Sequence, residues 1–341
     1  MTPIDEFNNA DALLRKGVYD EASEIFLRLR RQYSTLEALC DYRLAAISNN
    51  TGDPMTAYDL YYRAFNTKPD IASILYNESN PSHSYVFKCM KEEKETTCCP
   101  LCSNTEITPK WCYSLTDALG YNSFFNPIRL WMYCEPCHHI VARNFPENLF
   151  IYDDEPRHPN PALFSYYSNV LSHIAQYTSG MSLFEVGIGG CECVLVAREI
   201  GFSICGIDVI DKHVQLARKE FGLSVETADF IKYQTERKYD IVIMGDVIEH
   251  VSDPVAALQK AYKLLNEDGV LWVSTPNFDS AFSIVVGHND PMKMQTFHLN
   301  YFSRHSLFTL LERCAFVPVD YSISNHYNGS MEIIAIKAAK L

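Results

Sequence analysis

Two cysteine pairs, three separated carboxylates and one acid–histidine cluster are the residues of this 341-residue chain whose types and spacing can do chemistry. Cys99-Pro-Leu-Cys102 and Cys134-Glu-Pro-Cys137 are Cys-x-x-Cys pairs with 31 residues between them. Each pair suits a tight turn that points both sulfurs at one ion, and two such turns complete a tetrahedral thiolate shell for zinc. Four protein thiolates leave no open coordination position, so the expected ion is a structural Zn2+ and not a catalytic one. Cys98 offers a second register, and His138 and His139 are read as neighbours of the site. Disulfides are the rival use of twelve cysteines. They are disfavoured because Asp5, Glu6, Asp11, Asp20, Glu21 and Glu24 interrupt any apolar secretory core at the start of the chain. No stretch is long and apolar enough to span a bilayer, so a soluble, cytoplasmic protein is expected.

The carboxylates stand where strands should end. Residues 183–191 (LFEVGIGGC) pass from an apolar strand into glycines and then a helical stretch, with Glu185, Gly187 and Gly189 at alternate positions. The glycines permit torsions and a close ligand approach that side chains would obstruct. Ser203–Ile207 reads as a second strand ending at Asp208, where a carboxylate can accept both hydroxyl hydrogens of a ribose. A third short strand at Val225 precedes Ala228-Asp229-Phe230, an acid and an apolar neighbour suited to an adenine. Tyr239–Met244 then leads into GDVIEHVSDP, which supplies Asp246, Glu249 and His250 at a fourth strand tip. Asp246 is assigned to the cofactor side, and Glu249 and His250 to the chemistry. The rival is that Glu249 and His250 cap the following helix, which Asp253-Pro254 would start.

The elements that position these residues fall into three stretches. Residues 1–80 carry apolar residues at helical spacing, and Gly17 to Ala22 is echoed 35 residues later by Gly52 to Ala57, followed by Ala64 and Pro69. This resembles two tetratricopeptide units; a plain helical bundle is the alternative. Residues 95–150 hold the cysteine pairs. Residues 152–161 (YDDEPRHPNP) read as a linker, and Phe164, Tyr167, Leu171, Ile174 and Tyr177 then share one helical face. Tyr152, Phe164, Tyr166 and Tyr167 are read as core aromatics more than as an acceptor clamp. Across 162–341 strands and helices alternate, which predicts an α/β unit with a doubly wound, mostly parallel, seven-stranded sheet. Val270–Thr275 is its fifth strand, and Val317–Ser322 with Glu332–Lys337 close it as an antiparallel hairpin. Phe278–Phe297 lacks periodicity and reads as a substrate loop or lid.

Residues 162–341 resemble the class I S-adenosylmethionine-dependent methyltransferases through Glu185, Gly187, Gly189, Asp208, Asp229 and the YDIVIMGDVIEH stretch. The resemblance implies that Glu185 supports the loop near the methionine amino group. It also implies that Asp208 holds the ribose and Asp229 the adenine amine. The family's third glycine falls on Cys191, a departure. Asp246-x-x-Glu249-His250 resembles the E-x-x-E-H stretch of ubiquinone-biosynthesis O-methyltransferases, a group in which these positions can hold a divalent cation. HLNYFSRHSLF resembles a stretch of the same relatives and would set His298 opposite His250, as a base for the acceptor proton or as a loop anchor. A dinucleotide-dependent dehydrogenase is disfavoured, because the glycines read G-x-G-G rather than G-x-G-x-x-G.

The expected activity is O- or N-methylation of a small metabolite with histidine-assisted deprotonation. Two alternatives are a protein or carrier-bound substrate docked by the helices, and nucleotide-sugar C-methylation, whose enzymes also place a Cys-x-x-Cys module before this domain. A non-catalytic binding module is the third. The formal charge of −13 argues against a nucleic-acid partner.

Overall fold

The computed structural model describes residues 2–118, 121–147 and 155–338. Tyr152 and the first part of the expected linker lie outside the described residues. The chain opens with α1 (Pro3–Arg15), α2 (Tyr19–Gln32), α3 (Glu37–Asn50) and α4 (Pro54–Thr67), followed by the single turn α5 (Ala72–Leu75). Thr2 and Asp5 form a reciprocal capping box at α1, and Asp53 caps α4 ahead of Pro54. Gly17 and Gly52 make the corresponding turns of two successive helical hairpins at φ +77° and +91°. Ala22, Ala57 and Ala64 are fully buried, which lets the paired helices approach closely.

The next stretch builds a small antiparallel sheet. β1 (Lys94–Glu95) pairs with β5 (Asn144–Phe145), while β2 (Thr108–Ser114), β3 (Ile128–Cys134) and β4 (His139–Ala142) form a meander. Cys112, Ile128 and Leu130 of this sheet share one apolar core with Phe26, Tyr42 and Phe65 of the helices. The helical stretch is therefore a brace against the sheet.

From α6 (Phe164–Ile174) the chain alternates: β6 (Ser182–Val186), α7 (Glu192–Ile200), β7 (Ser203–Asp208), α8 (Asp211–Phe221), β8 (Val225–Thr227), β9 (Tyr239–Gly245), α9 (Pro254–Leu264) and β10 (Leu265–Pro276). It ends with α10 (Ala281–Val286), β11 (Asn300–Tyr301), α11 (Arg304–Arg313), β12 (Phe316–Ile323) and β13 (Ser330–Lys337). Seven strands order as β12-β13-β10-β9-β6-β7-β8, parallel except for β13, which runs antiparallel to both neighbours. The order reverses at β6, so a crevice opens at the carboxyl ends of β6 and β9. Apolar side chains cover both faces, Phe184, Val242 and Leu271 on one and Leu183, Ile243 and Trp272 on the other.

Two features were not legible in the sequence. Residues 278–297 are anchored at one end, where Asp290, Lys293 and Thr296 are buried and Trp131 Nε1 donates to Lys293 O at 2.9 Å, while Ile284 and Val285 are exposed. The anchors at Lys293 and Thr296 are side chains of a distant strand, which local periodicity does not register. Moreover β11 pairs antiparallel with β4 and becomes the fourth strand of the cysteine-bearing sheet. That sheet thus spans the boundary drawn between 95–150 and 162–341. Among the described residues no helix is long and apolar enough to cross a membrane.

Candidate functional site

The glycine turn leaves β6 at Val186 and enters α7 at Glu192. Gly187 has φ +74°, and a Cβ there would meet Val247 Cγ2 at 3.0 Å, so both torsion and space require glycine. Cys191, at the family's third glycine position, also adopts the left-handed region at φ +73° while fully buried. An L side chain held there costs about 1–2 kcal/mol.

Acids collect around this turn. Asp208 Oδ2 accepts from Gly189 N at 3.0 Å and its Oδ1 from Ile210 N at 2.8 Å, so the carboxylate shapes the loop and keeps a lone pair on each oxygen for a ligand. Glu185 is buried on β6 with Oε2 lacking any hydrogen-bond partner. Burial first, then Glu192 and Asp208, push its carboxyl well above the usual range. Glu192 accepts from Asn160 N at 2.7 Å. Asp229 lies one strand further along, where Ala228 N donates to Asp208 O; it accepts from Ile231 N at 3.0 Å and pairs with Lys232 at 3.2 Å. Phe230, the residue after it, is buried with its ring 6.5 Å from that of Phe184.

The fourth strand tip brings the second set together. Asp246 has φ +50° and accepts from Ser274 Oγ at 3.0 Å; burial pushes it up to about 6 against that bond. Glu249 is buried, Oε2 accepting from Thr275 Oγ1 at 3.0 Å and Oε1 without a partner. Phe297 O lies 3.0 Å from His250 Nδ1, which assigns the proton to Nδ1 and leaves Nε2 an acceptor. His298 sits edge-on to it with ring centroids 4.9 Å apart, and its Nδ1 has no partner. One ligand atom from each of Glu249, His250 and His298 lies within 4.8 Å of the others. Burial holds His250 at about 4; burial, then His250 and Arg129, push His298 well below the ordinary imidazole value, opposed by the Met292 backbone. Both rings are neutral near pH 7. The helix cap falls to Asp253, whose Oδ1 accepts from Ala256 N at 2.9 Å, so neither Glu249 nor His250 is needed for it.

The cysteine pairs also converge. The sulfurs of Cys99, Cys102, Cys134 and Cys137 lie within 4.8 Å of one another, and the 3.7 Å between Cys102 and Cys134 is far beyond a disulfide. The residue after each pair, Ser103 and His138, is left-handed at φ +61° and +48°, so the two knuckles share one backbone form. Cys98 stands outside the group. His138 Nδ1 lies 2.7 Å from Tyr133 Oη and His139 Nε2 lies 3.1 Å from Asn300 Oδ1.

Sequence reasoning missed Glu192, although it is the one acid in the first turn of α7. It also missed His213, whose Nδ1 lies 3.5 Å from Asp208; Tyr167, read as a core aromatic, has its hydroxyl pushed up by burial, with Glu185 and Asp246 beside it. These follow from helix packing over the strand tips and leave no local motif.

Residues 162–320 match the family model described as methyltransferase domain. A ubiquinone biosynthesis O-methyltransferase of Actinobacillus pleuropneumoniae is 31% identical over 140 residues, covering 36% of this chain and 60% of the relative. One of Nitrosomonas europaea is 27% identical over 169 residues, covering 47% of this chain and 66% of the relative. The chain thus spans less than two thirds of the length of these relatives. A solved S-adenosylmethionine-dependent methyltransferase of Archaeoglobus fulgidus aligns at TM-score 0.42 and 16% identity, covering 51% of this chain and 93% of that one, too faint a likeness to argue from. Residues 162–320 are thus similar to a methyltransferase domain.

Proposed function

We propose that this chain transfers a methyl group from S-adenosylmethionine to an oxygen or nitrogen of a small-molecule acceptor, with His298 or His250 receiving the proton. The observation that carries the reading is the buried group of acids at the glycine turn, Glu185 with an unpartnered oxygen beside Glu192 and Asp208. Buried like charges of this kind call for a cationic ligand. A ligand with an ammonium, a sulfonium and a ribose fits that donor set: Glu185 toward the ammonium, Asp208 toward the ribose and Asp229 toward the adenine edge.

When bound, S-adenosylmethionine supplies an electrophilic methyl on a sulfonium. The chain's own task is alignment of the acceptor and removal of one proton. His298 and His250 are neutral in the cluster, so either imidazole is in the form that takes a proton as transfer proceeds. Glu249, whose carboxyl burial and then Asp246 push well above the usual range, presents an unpartnered oxygen to the same space, where it can accept a hydrogen bond from the imidazolium that results. A second reading has specific support: the three ligand atoms within 4.8 Å of each other also suit a divalent cation that would polarise the acceptor oxygen.

We read the four thiolates as a structural zinc site and the helical hairpins as tetratricopeptide-like braces. Their shared core with β2 and β3 favours a small acceptor over docking of a protein or carrier. A reducing, cytoplasmic setting suits free thiolates.

Incubating the purified chain with a metabolite extract and methyl-labelled S-adenosylmethionine, then identifying the labelled product by mass, tests the activity. With that acceptor, His298→Ala should lower kcat by about 10²-fold at unchanged affinity for S-adenosylhomocysteine. Unaltered turnover would remove His298 from the chemistry. Failure of S-adenosylhomocysteine to bind in calorimetry would remove the enzyme assignment.

A further inference from the structure

Arg129 lies on β3, five residues before Cys134, and is 3% exposed. A guanidinium so buried is costly unless its donors are satisfied. Arg129 directs them at one short loop: Nη1 donates to His298 O at 2.6 Å and Nη2 to Thr296 O at 3.0 Å. Its carbon lies 5.5 Å from the Trp131 ring and 5.9 Å from the Phe125 ring, so aromatic faces hold the plane of the fork. Trp131, two residues on and therefore on the same face of the strand, donates to Lys293 O. Lys293 is itself fixed, its ammonium 4.4 Å over Trp111 and donating to Gly287 O at 2.6 Å.

The peptide following His298 is pinned from the opposite side. Leu299 N and Asn300 N both donate to Glu249 O, at 2.8 and 3.0 Å, while Ala142 N of β4 donates to Leu299 O at 2.8 Å. Thus the carbonyl of His298 is tied to β3 and the next amide to the residue adjoining His250. Those two groups share one peptide plane; the plane before it is held too, His250 Nδ1 donating to Phe297 O at 3.0 Å and His298 N to Gln295 O at 3.4 Å, so the planes on both sides determine where the His298 side chain leaves the backbone.

We infer that Arg129, with Trp131 beside it, is a positioning residue that fixes His298 against Glu249 and His250. The role of the cysteine-anchored sheet in this chain is to hold that arginine: the Cys134–Cys137 knuckle is the turn that closes the β3–β4 hairpin on which Arg129 and Ala142 stand. Arg129 touches none of the groups taken to react, so its effect runs wholly through His298. The consequence for catalysis rests on His298 acting as proposed above; the placement of His298 does not.

The test compares Arg129→Met, which keeps bulk but loses every donor, with Arg129→Lys, which keeps charge but loses the two-pronged geometry. His298 accessibility is read by diethyl pyrocarbonate labelling and peptide mass analysis, with buried His213 beside Asp208 as internal reference. In Arg129→Met, labelling of His298 should rise about tenfold while His213 labelling and S-adenosylhomocysteine affinity stay within about twofold, as expected for one lost charged hydrogen-bond pair. Arg129→Lys should fall between, and serves as the variant of record should Arg129→Met not fold. With the acceptor identified as above, kcat should drop about tenfold at unchanged KM for S-adenosylmethionine. Millimolar methylguanidinium should recover part of it in Arg129→Ala. Unchanged His298 labelling in both variants overturns the inference. So does a parallel rise at His213 with loss of S-adenosylhomocysteine binding, since that reports general loosening. If His298→Gln retains full turnover while Arg129→Met still exposes His298, the base assignment falls and the positioning stands.

Discussion

Glu185 is an acid kept where the apo protein gains nothing from its charge. Burial and two neighbouring carboxylates raise its folded-state pKa, whereas in the unfolded chain it ionises normally. The sign follows: above the raised value the folded state bears the full penalty. As the pH falls from there to the ordinary carboxyl range near 4.5, the folded state holds the extra proton and the penalty fades to nothing. Glu185→Gln should therefore melt higher than the parent at pH 8, with a gap that closes toward pH 4.5. The same variant should bind S-adenosylhomocysteine roughly tenfold more weakly, for want of one charged hydrogen bond. Thermal scans across pH and calorimetry at pH 8 check both; a gap that widened on acidification would contradict the account. Asp208 was readable in the sequence because it ends an apolar run of a strand's length, and Glu185 because it stands two residues before the glycine turn. Phe230 shows the limit of such reading, since an aromatic after an acid looks the same whether it faces a cleft or a core. Arg129 was unreadable: its partners are carbonyl groups, which any residue supplies.

Among the elements, strands were legible and their attachments were not. β6, β7, β9 and the β12–β13 hairpin lie where apolar runs between turn residues put them. β10 begins earlier than expected, at Leu265, because an irregularity before Val270 breaks the apolar run that marks a strand. Helix starts are legible when a cap is local. Asp253 accepts from Ala256 N, and Asp253→Ala should cost about 1 kcal/mol of stability by denaturant titration. An unaltered midpoint would show that α9 draws its start from packing alone. Residues 278–297 mark the opposite extreme. Ser280 and Asp290 cap their short helical turns locally, but the carbonyls of Lys293 and Thr296 are held by Trp131 and Arg129 from more than 140 positions away, which no window of local sequence contains.

At the scale of the molecule, the cysteine group is not an appendage. Cys99 and Cys134 pack in the same apolar core as Phe184, Val242 and Phe316, and Arg313 of α11 donates to Leu101 O. Removing a zinc ion from four thiolates should therefore loosen the large sheet as well as the small one. Purified protein should contain about one zinc per chain by elemental analysis, and Cys102→Ser or a strong chelator should lower the melting temperature of the whole molecule in one transition. A chelated protein that melts unchanged, with four freely titrating thiols, would refute the structural ion. The spacing of the cysteines announced this group; that it buttresses the other half was not written in any motif. The strand Asn300–Tyr301 carries the matter further, into biosynthesis. A ribosome releases the first three strands of the small sheet long before it makes the fourth, which follows the fifth strand of the large one in the chain. The nascent small sheet must wait with an open edge at β4, exposed to pairing with other chains, until Tyr301 has emerged.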